Sequence, residues 1–237
     1  MITEIIISVV MSVLTVSTGA LFFLMGKKKG EKDLLALFMI NGYEVRTRIF
    51  RGLNNHVKKG GIVFVGDSIT QDYPIGEYFP EKLVYNRGIG GDTSQGLLGR
   101  MEESVYALDP MCVILLIGTN DLVLLGDGIE AIFNRIQEAI LQIRDHCPYT
   151  RIVCEAVYPV NPDIDPVTVS KRSNSDILVL NKRLKDIPDV TFIDLTNVLS
   201  DSTGALSKQL SLDGLHINQE GYRLVSDKLR EIVPELN

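Results

Sequence analysis

The sequence contains little cysteine, little histidine and no excess of positive charge. Its three cysteines are an odd number and two of them stand inside apolar runs, so they indicate scattered buried thiols and not a disulfide framework. The net charge of -6 argues against broad nucleic-acid binding, which needs a basic surface to neutralise phosphates. The chain has no internal repeat, and its 45% of hydrophobic residues is ordinary for a globular α/β protein.

One long apolar run stands at the N-terminus, where residues 5–25 carry no charged side chain. A helix of this length spans the roughly 30 Å hydrocarbon core of a bilayer, so we expect a transmembrane anchor over residues 1–26. A cleaved signal peptide is disfavoured because no basic residue precedes the run. A buried core helix is disfavoured because every face of the helix would be apolar.

Basic residues stand on one side of this run only. Met1 and Glu4 lie near its other end, and the lysines that follow it are Lys27, Lys28, Lys29 and Lys32. The positive-inside rule therefore predicts a single-pass protein of the cell membrane whose C-terminal domain is cytoplasmic. Residues 27–60 are expected to form a basic juxtamembrane segment and an amphipathic helix, which packs on the domain or rests near the membrane. The folded domain is predicted to span residues 61–237.

Within that domain, short β-rich apolar runs alternate with longer segments of helical period. The strand-like runs are IVFVG, VYNRGIGG, CVILLIG, RIVCEAVYP and VTFIDL. This alternation predicts βαβ units, with about five parallel strands and helices on both faces of the sheet. Helices are expected over SQGLLGRMEESVYAL and GIEAIFNRIQEAILQIRDHC, around DILVLNKRLKDI, and over QEGYRLVSDKLREIV.

Small and polar residues follow the first three of these strands. Ser68 comes just past IVFVG, Gly90 and Gly91 follow the second strand, and Asn120 belongs to GTND after the third. In open α/β sheets, ligands bind outside the carboxyl ends of the strands. We therefore expect these residues to meet at one edge of the sheet.

A serine hydroxyl is a weak nucleophile unless a base removes its proton, and the usual base is a histidine oriented by a carboxylate. His56 and His146 are expected at the opposite edge of the sheet, whereas His216 follows the last strand on the same edge as Ser68. Asp213 stands three residues before His216, close enough on a tight turn to bond the imidazole Nδ1. The sequence therefore predicts a catalytic triad of Ser68, Asp213 and His216.

Acyl transfer also needs donors aimed at the oxygen that becomes negative. The candidates are the backbone N–H groups of Ser68 and Gly91 and the side-chain amide of Asn120. Glycine at position 91 lets the backbone approach a substrate with no Cβ in the way. Asp67 and Asp121 are interpreted as structural residues that bond backbone N–H groups of their own turns.

Each of these motifs, taken alone, has a plainer interpretation. GDS and GTND are common turn sequences, and NRGIGGDTS could start a helix capped by Thr93 or Asp92, or cradle a phosphate. Asn174 is interpreted as part of a helix start. Lys171 and Arg172 are interpreted as a solvated charge pair, with contact to an anionic group of the substrate as the alternative. DGLHINQEGY alone is typical of a surface loop that leads into a helix. Four such motifs in this order on matching strand ends make coincidence improbable.

The four blocks GDSIT, NRGIGGD, LIGTND and DGLHIN together resemble the SGNH hydrolases, also called GDSL esterases. The likeness covers about residues 60–237 and is strongest to the branch of platelet-activating-factor acetylhydrolase subunits, with Ile69 where the GDSL name has leucine. The resemblance implies a flavodoxin-like three-layer α/β/α fold and ester hydrolysis with no metal and no cofactor. The residues it assigns are the triad Ser68, Asp213 and His216 and the oxyanion hole Ser68, Gly91 and Asn120, with Gly91 favoured over Gly90.

The predicted reaction is hydrolysis of a carboxylic ester, acyl or acetyl, through an acyl-serine intermediate. An O-acyltransferase would use the same triad and remains an alternative. A non-catalytic, membrane-tethered module that binds a phosphorylated ligand is disfavoured, because it has no use for Asp213 and His216 and the motif cores lack the expected cations. The expected partners are a small-molecule or lipid ester and the membrane, and a homodimer is one option for the oligomeric state.

Overall fold

The computed structural model describes residues 26, 27, 29, 30 and 42–237. One compact unit runs from Tyr43 to Asn237. In this described part of the chain, no helix is long and apolar enough to cross a membrane. The predicted anchor over residues 1–26 lies, apart from Gly26, outside the described residues and stays a prediction.

Five parallel strands form a single sheet, which confirms the predicted number and direction of the strands. They are β1 Ile62–Gly66, β2 Val84–Gly88, β3 Cys112–Leu116, β4 Arg151–Glu155 and β5 Thr191–Ile193. The order across the sheet is β2-β1-β3-β4-β5, the flavodoxin-like order. The chain adds β2 on one side of β1 and then crosses over to add β3 on the other side. The carboxyl ends of β1 and β3 therefore flank the crevice where ligands bind in such sheets.

The helices of the compact unit are of unequal length. Residues 42–54 are helical and are labelled α1. The helices that follow are α2 Ser68–Gln71, α3 Ile75–Tyr78, α4 Ser94–Leu98, α5 Met101–Ser104, α6 Asp121–Leu124, α7 Ile129–His146, α8 Pro166–Val169, α9 Asn174–Lys185, α10 Thr196–Leu199 and α11 Gln219–Ile232. Two 3₁₀ turns span Tyr106–Leu108 and Pro234–Leu236.

Alternate residues of each strand enter two separate apolar cores. Val63 of β1 packs on the face covered by α7, in the same cluster as Ile140. Its neighbour Phe64 packs on the opposite face, in the cluster that contains Leu229 of α11. Both faces of the sheet are therefore buried, which explains the continuous apolar runs of β1 and β3 and confirms the three-layer α/β/α architecture.

The helical stretch expected over SQGLLGRMEESVYAL is broken into α4, α5 and a 3₁₀ turn. Gly99 ends α4, and its N–H donates back to carbonyl groups of that helix. Arg100 then leaves the helical region with φ -129° and ψ 18°, and its side chain is completely buried. The expectation of one stretch was wrong because Arg100 turns into the interior, where a continuous helix would not place it.

The first described helix, α1, packs on the domain. The hydroxyl of Tyr43 donates to the carbonyl oxygen of Gly96 at 2.7 Å. Phe50 is buried, and the guanidinium of Arg87 lies 4.8 Å from the centre of its ring. The compact unit thus includes residues 43–60, which were expected to belong to the juxtamembrane segment. The described part of the amphipathic helix packs on the domain, which is one of its two expected positions.

All three cysteines are buried and unpaired, as the sequence predicts. Burial raises the pKa of the Cys112 and Cys154 thiols to about 12 and also raises the pKa of Cys147. These side chains act as small apolar groups of the core.

One carboxyl group is buried at the end of β4. Glu155 accepts a hydrogen bond from the Tyr158 hydroxyl at 2.6 Å, and burial raises the pKa of Glu155 to about 7 in spite of this bond. Because the pKa in the folded state exceeds the ordinary value of 4.5, the folded protein binds this proton more tightly than the unfolded chain. The stability that the folded protein gains from holding Glu155 protonated is fully present below about pH 4.5 and is lost as the pH rises through about 7.

We expect Glu155→Gln to become more stable relative to the wild type as the pH rises. Glutamine keeps an acceptor for Tyr158 but does not ionise, so the mutant-minus-wild-type difference in free energy of unfolding should increase by about 2 kcal/mol from pH 5 to pH 8. Urea denaturation at both pH values measures it, with Glu81→Gln as the control at an exposed glutamate. A difference that is the same at both pH values would contradict the burial argument.

Candidate active site

The first polar residues of the site follow the end of β1. Gly66 pairs with Leu116 of β3, and a Cβ at this glycine would overlap the carbonyl oxygen of Leu116. Asp67 caps α2 by accepting a hydrogen bond from the Ile69 N–H at 3.0 Å, as predicted for its own turn. Ser68 is the first residue of α2 and is half-buried. Gly66 allows close packing against β3 and Asp67 caps α2. Together they present the Ser68 hydroxyl at the carboxyl edge of the sheet.

Ser68, His216 and Asp213 lie in hydrogen-bonding contact. The Ser68 Oγ is 2.9 Å from His216 Nε2, and His216 Nδ1 is 2.6 Å from Asp213 Oδ2. The other carboxylate oxygen of Asp213 accepts from the backbone N–H groups of His216 at 2.8 Å and Leu215 at 3.0 Å. Burial opposes ionisation of Asp213, but these donors together hold its pKa below the ordinary value.

The other two histidines lie away from this cluster. His56 is exposed and precedes β1. His146 ends α7, which returns from the carboxyl end of β3, and its ring stacks on Tyr106 at 4.1 Å between centroids. Both are therefore at the edge where the strands begin, as the sequence predicts.

The two adjacent glycines after β2 differ in the state of their N–H groups. The N–H of Gly90 donates to Gln71 Oε1 at 2.9 Å. The N–H of Gly91 donates to no acceptor in the part of the chain that the structure describes. Gly91 has φ +75°, a conformation that residues with a Cβ rarely adopt. Of the two, Gly91 therefore has the donor that is available to a substrate.

The third candidate donor, Asn120, is almost fully buried, with 5% of its surface exposed. Its Nδ2 donates to the Asp92 carbonyl oxygen at 2.9 Å, and its Oδ1 accepts from Arg172 Nη2 at 2.7 Å. A primary amide carries two N–H groups, and the second has no acceptor among the described residues. Asn120 thus also retains a donor at this edge of the sheet.

A buried arginine ties the loop after β2 to the end of β1. The Arg100 guanidinium donates to the Asp92 carboxylate at 2.7 Å and to the carbonyl oxygens of Gly66 and Arg87, both at 2.8 Å. It also donates to Ser104 Oγ at 2.7 Å. Sequence reasoning missed Arg100, because nothing in the run LLGRMEES distinguishes it from a solvent-exposed helical residue.

Asp121 does not bond its own turn, which corrects the prediction. Its carboxylate accepts from the Ser94 N–H at 2.9 Å and from Arg135 Nη2 at 3.2 Å. It also accepts from the Ser94 hydroxyl. It therefore connects the loop after β3 to the start of α4. Thr93 caps α4 by accepting from the Gly96 N–H at 3.1 Å, which agrees with one of the predicted capping residues.

The predicted solvated pair of Lys171 and Arg172 was wrong for Arg172. Lys171 is exposed, but Arg172 is buried, because its guanidinium meets acceptors of the loops around it. Asn174 is the first residue of α9, as predicted, and Ser173 is the capping residue. The Asn174 amide also bonds both the N–H and the carbonyl oxygen of Val160, at 2.8 and 2.9 Å.

Two further contacts position the loops of the candidate site and have no signal in the sequence. The Tyr222 hydroxyl of α11 donates to the Ile69 carbonyl oxygen at 2.7 Å, which fixes α2. The Asn161 N–H donates to the Gly214 carbonyl oxygen at 2.8 Å, which fixes the turn before His216.

Within the described part of the chain, no cluster of histidine, cysteine, aspartate and glutamate is arranged to hold a metal ion.

Comparisons with known proteins agree with this architecture. The model of the GDSL-like Lipase/Acylhydrolase family matches residues 64–224. Platelet-activating factor acetylhydrolase IB subunit alpha2 of Rattus norvegicus is 26% identical over 184 residues, which cover 76% of this chain and 78% of that protein.

Solved structures share the fold. One from Streptococcus pneumonia, named after platelet activating factor, is 30% identical with a TM-score of 0.80, and the match covers 85% of this chain and 97% of that one. A GDSL-like lipase from Bacteroides thetaiotaomicron has the same fold, with a TM-score of 0.70 at 21% identity over 81% of this chain and 98% of its own.

The family match extends over more than half of the chain and includes all four sequence blocks that meet at the carboxyl edge of the sheet. The sheet order and the hydrogen-bonded serine, histidine and aspartate are in keeping with that match. The chain therefore belongs to the GDSL-like lipase/acylhydrolase family of the SGNH hydrolase superfamily, and it is a carboxylic ester hydrolase.

Proposed function

We propose that the protein hydrolyses its ester through an acyl-serine intermediate, with Ser68 as the nucleophile. The observation that carries this proposal is the unbroken series of contacts from the Ser68 hydroxyl to the His216 imidazole, at 2.9 Å, and on to the Asp213 carboxylate, at 2.6 Å. A serine becomes nucleophilic when a base within hydrogen-bonding reach accepts its proton and a third group orients that base.

In the first half-reaction, His216 takes the Ser68 proton as Oγ attacks the ester carbonyl carbon. Asp213 stabilises the resulting imidazolium and fixes its orientation. The carbonyl oxygen, now negative, accepts from the N–H groups of Ser68 and Gly91 and from Asn120 Nδ2. The carbon–oxygen bond to the alcohol then breaks, and the alcohol leaves with the proton held by His216.

In the second half-reaction, His216 removes a proton from water, which attacks the acyl-serine carbonyl. The same three donors hold the new oxyanion, and collapse of this intermediate releases the acid and returns the proton to Ser68. Similarity to acetylhydrolase subunits supports an acetyl ester as substrate, whereas the apolar N-terminal run supports a lipid ester.

We also propose that residues 1–26 anchor the protein in the membrane, with the catalytic domain in the cytoplasm. The support is the uncharged run at residues 5–25 and the lysines that follow it directly. With this orientation the domain would meet esters of the cytoplasm or of the inner leaflet.

We expect Ser68→Ala to abolish ester hydrolysis. The full-length chain should hydrolyse p-nitrophenyl acetate, butyrate or octanoate, and the mutant should lose at least about 10³-fold in kcat/KM because no nucleophile remains next to His216. Ser202→Ala, at an exposed serine, is the matched control and should retain wild-type rates. Equal rates in Ser68→Ala and the wild type would refute the mechanism, and acyl transfer to an added alcohol at the expense of hydrolysis would indicate an acyltransferase.

We expect Asp213→Asn to lower kcat by about 10³- to 10⁴-fold. The asparagine oxygen can still accept from the Leu215 and His216 N–H groups, which turns its NH₂ toward His216 Nδ1. Nδ1 must then accept, so Nε2 carries the proton and cannot take one from Ser68. Steady-state kinetics at pH 7 measure the loss, with exposed Asp163→Asn as the control.

We expect a fluorescent protein fused to the C-terminus of the full-length chain in bacteria to fluoresce, and alkaline phosphatase at the same position to be inactive. Fluorescence requires folding in the cytoplasm and phosphatase activity requires export, so the two reporters distinguish the orientations. Activity of the phosphatase fusion alone would reverse the proposed orientation, and recovery of both fusions in the soluble fraction would exclude the anchor.

A further inference from the structure

Arg172 is a buried cation whose hydrogen-bond acceptors are all uncharged. Only 9% of its surface is exposed. Nε donates to the Thr119 carbonyl oxygen at 2.9 Å, and Nη1 donates to the carbonyl oxygens of Thr168 and Val169, both at 3.1 Å. Nη2 donates to Asn120 Oδ1 at 2.7 Å. The guanidinium thus joins the loop after β3 to α8.

This arrangement is costly, because a buried charge is ordinarily paired with an opposite charge. No carboxylate in the described part of the chain forms an ion pair with Arg172. Burial accordingly lowers the pKa of Arg172, with the charge of Asp67 acting in the opposite direction. Arginine nevertheless stays protonated, so a positive charge lies against the Asn120 amide.

The contact decides which end of the Asn120 amide faces which partner. Arg172 has donors only, so the atom 2.7 Å from its Nη2 must be the amide oxygen. The nitrogen then faces the Asp92 carbonyl oxygen at 2.9 Å, and its second hydrogen is left for a substrate. A guanidinium on Oδ1 also withdraws electron density from the amide and strengthens its N–H groups as donors.

We propose that Arg172 is a positioning residue of ester hydrolysis, which acts through Asn120 by holding that amide with its nitrogen toward the oxyanion and by polarising it. This inference rests on the proposed mechanism, in which Asn120 is one of the three oxyanion donors. It separates two roles of the same guanidinium. The bonds to Thr119, Thr168 and Val169 hold the loops, and the bond to Asn120 serves the chemistry.

The two roles predict different results when Arg172 and Asn120 are replaced together. A residue that acts only through Asn120 has nothing left to support once that amide is gone, so the two losses in kcat are not additive. A residue that merely holds the loops is needed whether or not the amide is present. In that case the fold loss in kcat of the double mutant equals the product of the losses of the two single mutants. The double-mutant cycle therefore tests the proposal directly.

The experiment measures kcat and KM for p-nitrophenyl acetate with full-length wild type, Arg172→Met, Asn120→Ala and the double mutant. We expect Asn120→Ala to lower kcat by about 10²- to 10³-fold, the usual cost of one oxyanion donor. Arg172→Met should lower kcat by at least about 10-fold with KM within about 3-fold of wild type. The double mutant should fall within about 2-fold of Asn120→Ala. Lys171→Met, which removes the neighbouring exposed charge, should leave kcat unchanged.

Arg172→Lys covers the case in which Arg172→Met does not fold. Lysine can donate to Asn120 Oδ1 but cannot span all four acceptors, so in this variant kcat should stay within about 3-fold of wild type while the melting temperature falls. Multiplicative losses in the cycle run with Arg172→Met would overturn the proposal, as would wild-type kcat in Arg172→Met. If only Arg172→Lys folds, a kcat lowered at least about 10-fold in that variant would overturn it, because lysine keeps the bond to Asn120. A wild type without esterase activity, or an active Ser68→Ala, would instead overturn the proposed function itself.

Discussion

The candidate site at the carboxyl edge of the sheet depends on one buried cation, the guanidinium of Arg100. It bonds the carbonyl oxygen of Gly66, directly before the turn that presents Ser68, and the carboxylate of Asp92, directly after Gly91. Two loops that leave different strands therefore share one charge. Breaking a buried ion pair by removing one partner typically costs roughly 3–5 kcal/mol, so neither loop can shift without disturbing the other. The distance between Ser68, the proposed nucleophile, and Gly91, a proposed oxyanion donor, is in this way fixed by a residue that has no proposed part in the reaction.

Other hydrogen bonds of this kind lie along the carboxyl edge, where polar side chains of one segment hold the loops of another. Asn120 reaches the carbonyl oxygen of Asp92, and Asp121, its neighbour, reaches the start of α4 at Ser94. Tyr222 reaches α2 from the far end of the chain. The two apolar cores below this layer give the sheet its stability, whereas the polar layer gives the site its geometry. Buried polar groups are costly unless every one is satisfied, so a network of this kind rigidifies the loops that it joins.

The sequence predicts the sheet well because its central strands are mostly buried apolar runs, a property that adjacent residues already show. It also predicts the pairing of Asp213 with His216, since three residues on a tight turn leave few other partners for the carboxylate. It does not predict the burial of Arg100 and Arg172. Whether an arginine is buried depends on carbonyl groups contributed by distant segments, and the local pattern reads as a solvated helix or loop in both cases. The break after α4 escapes prediction for the same reason, and membrane attachment remains a prediction because it concerns residues 1–26.

The position of the three cysteines has a practical consequence. Cys112 belongs to β3, Cys154 to β4, and Cys147 follows α7, so one lies at the end of a long helix and two in adjacent central strands. None presents a thiolate to solvent while the core is closed. An alkylating reagent therefore modifies this protein only at the rate at which its interior opens. The chain thereby carries three native probes of its own unfolding, two at the centre of the sheet and one at the end of α7, with no need to engineer a label.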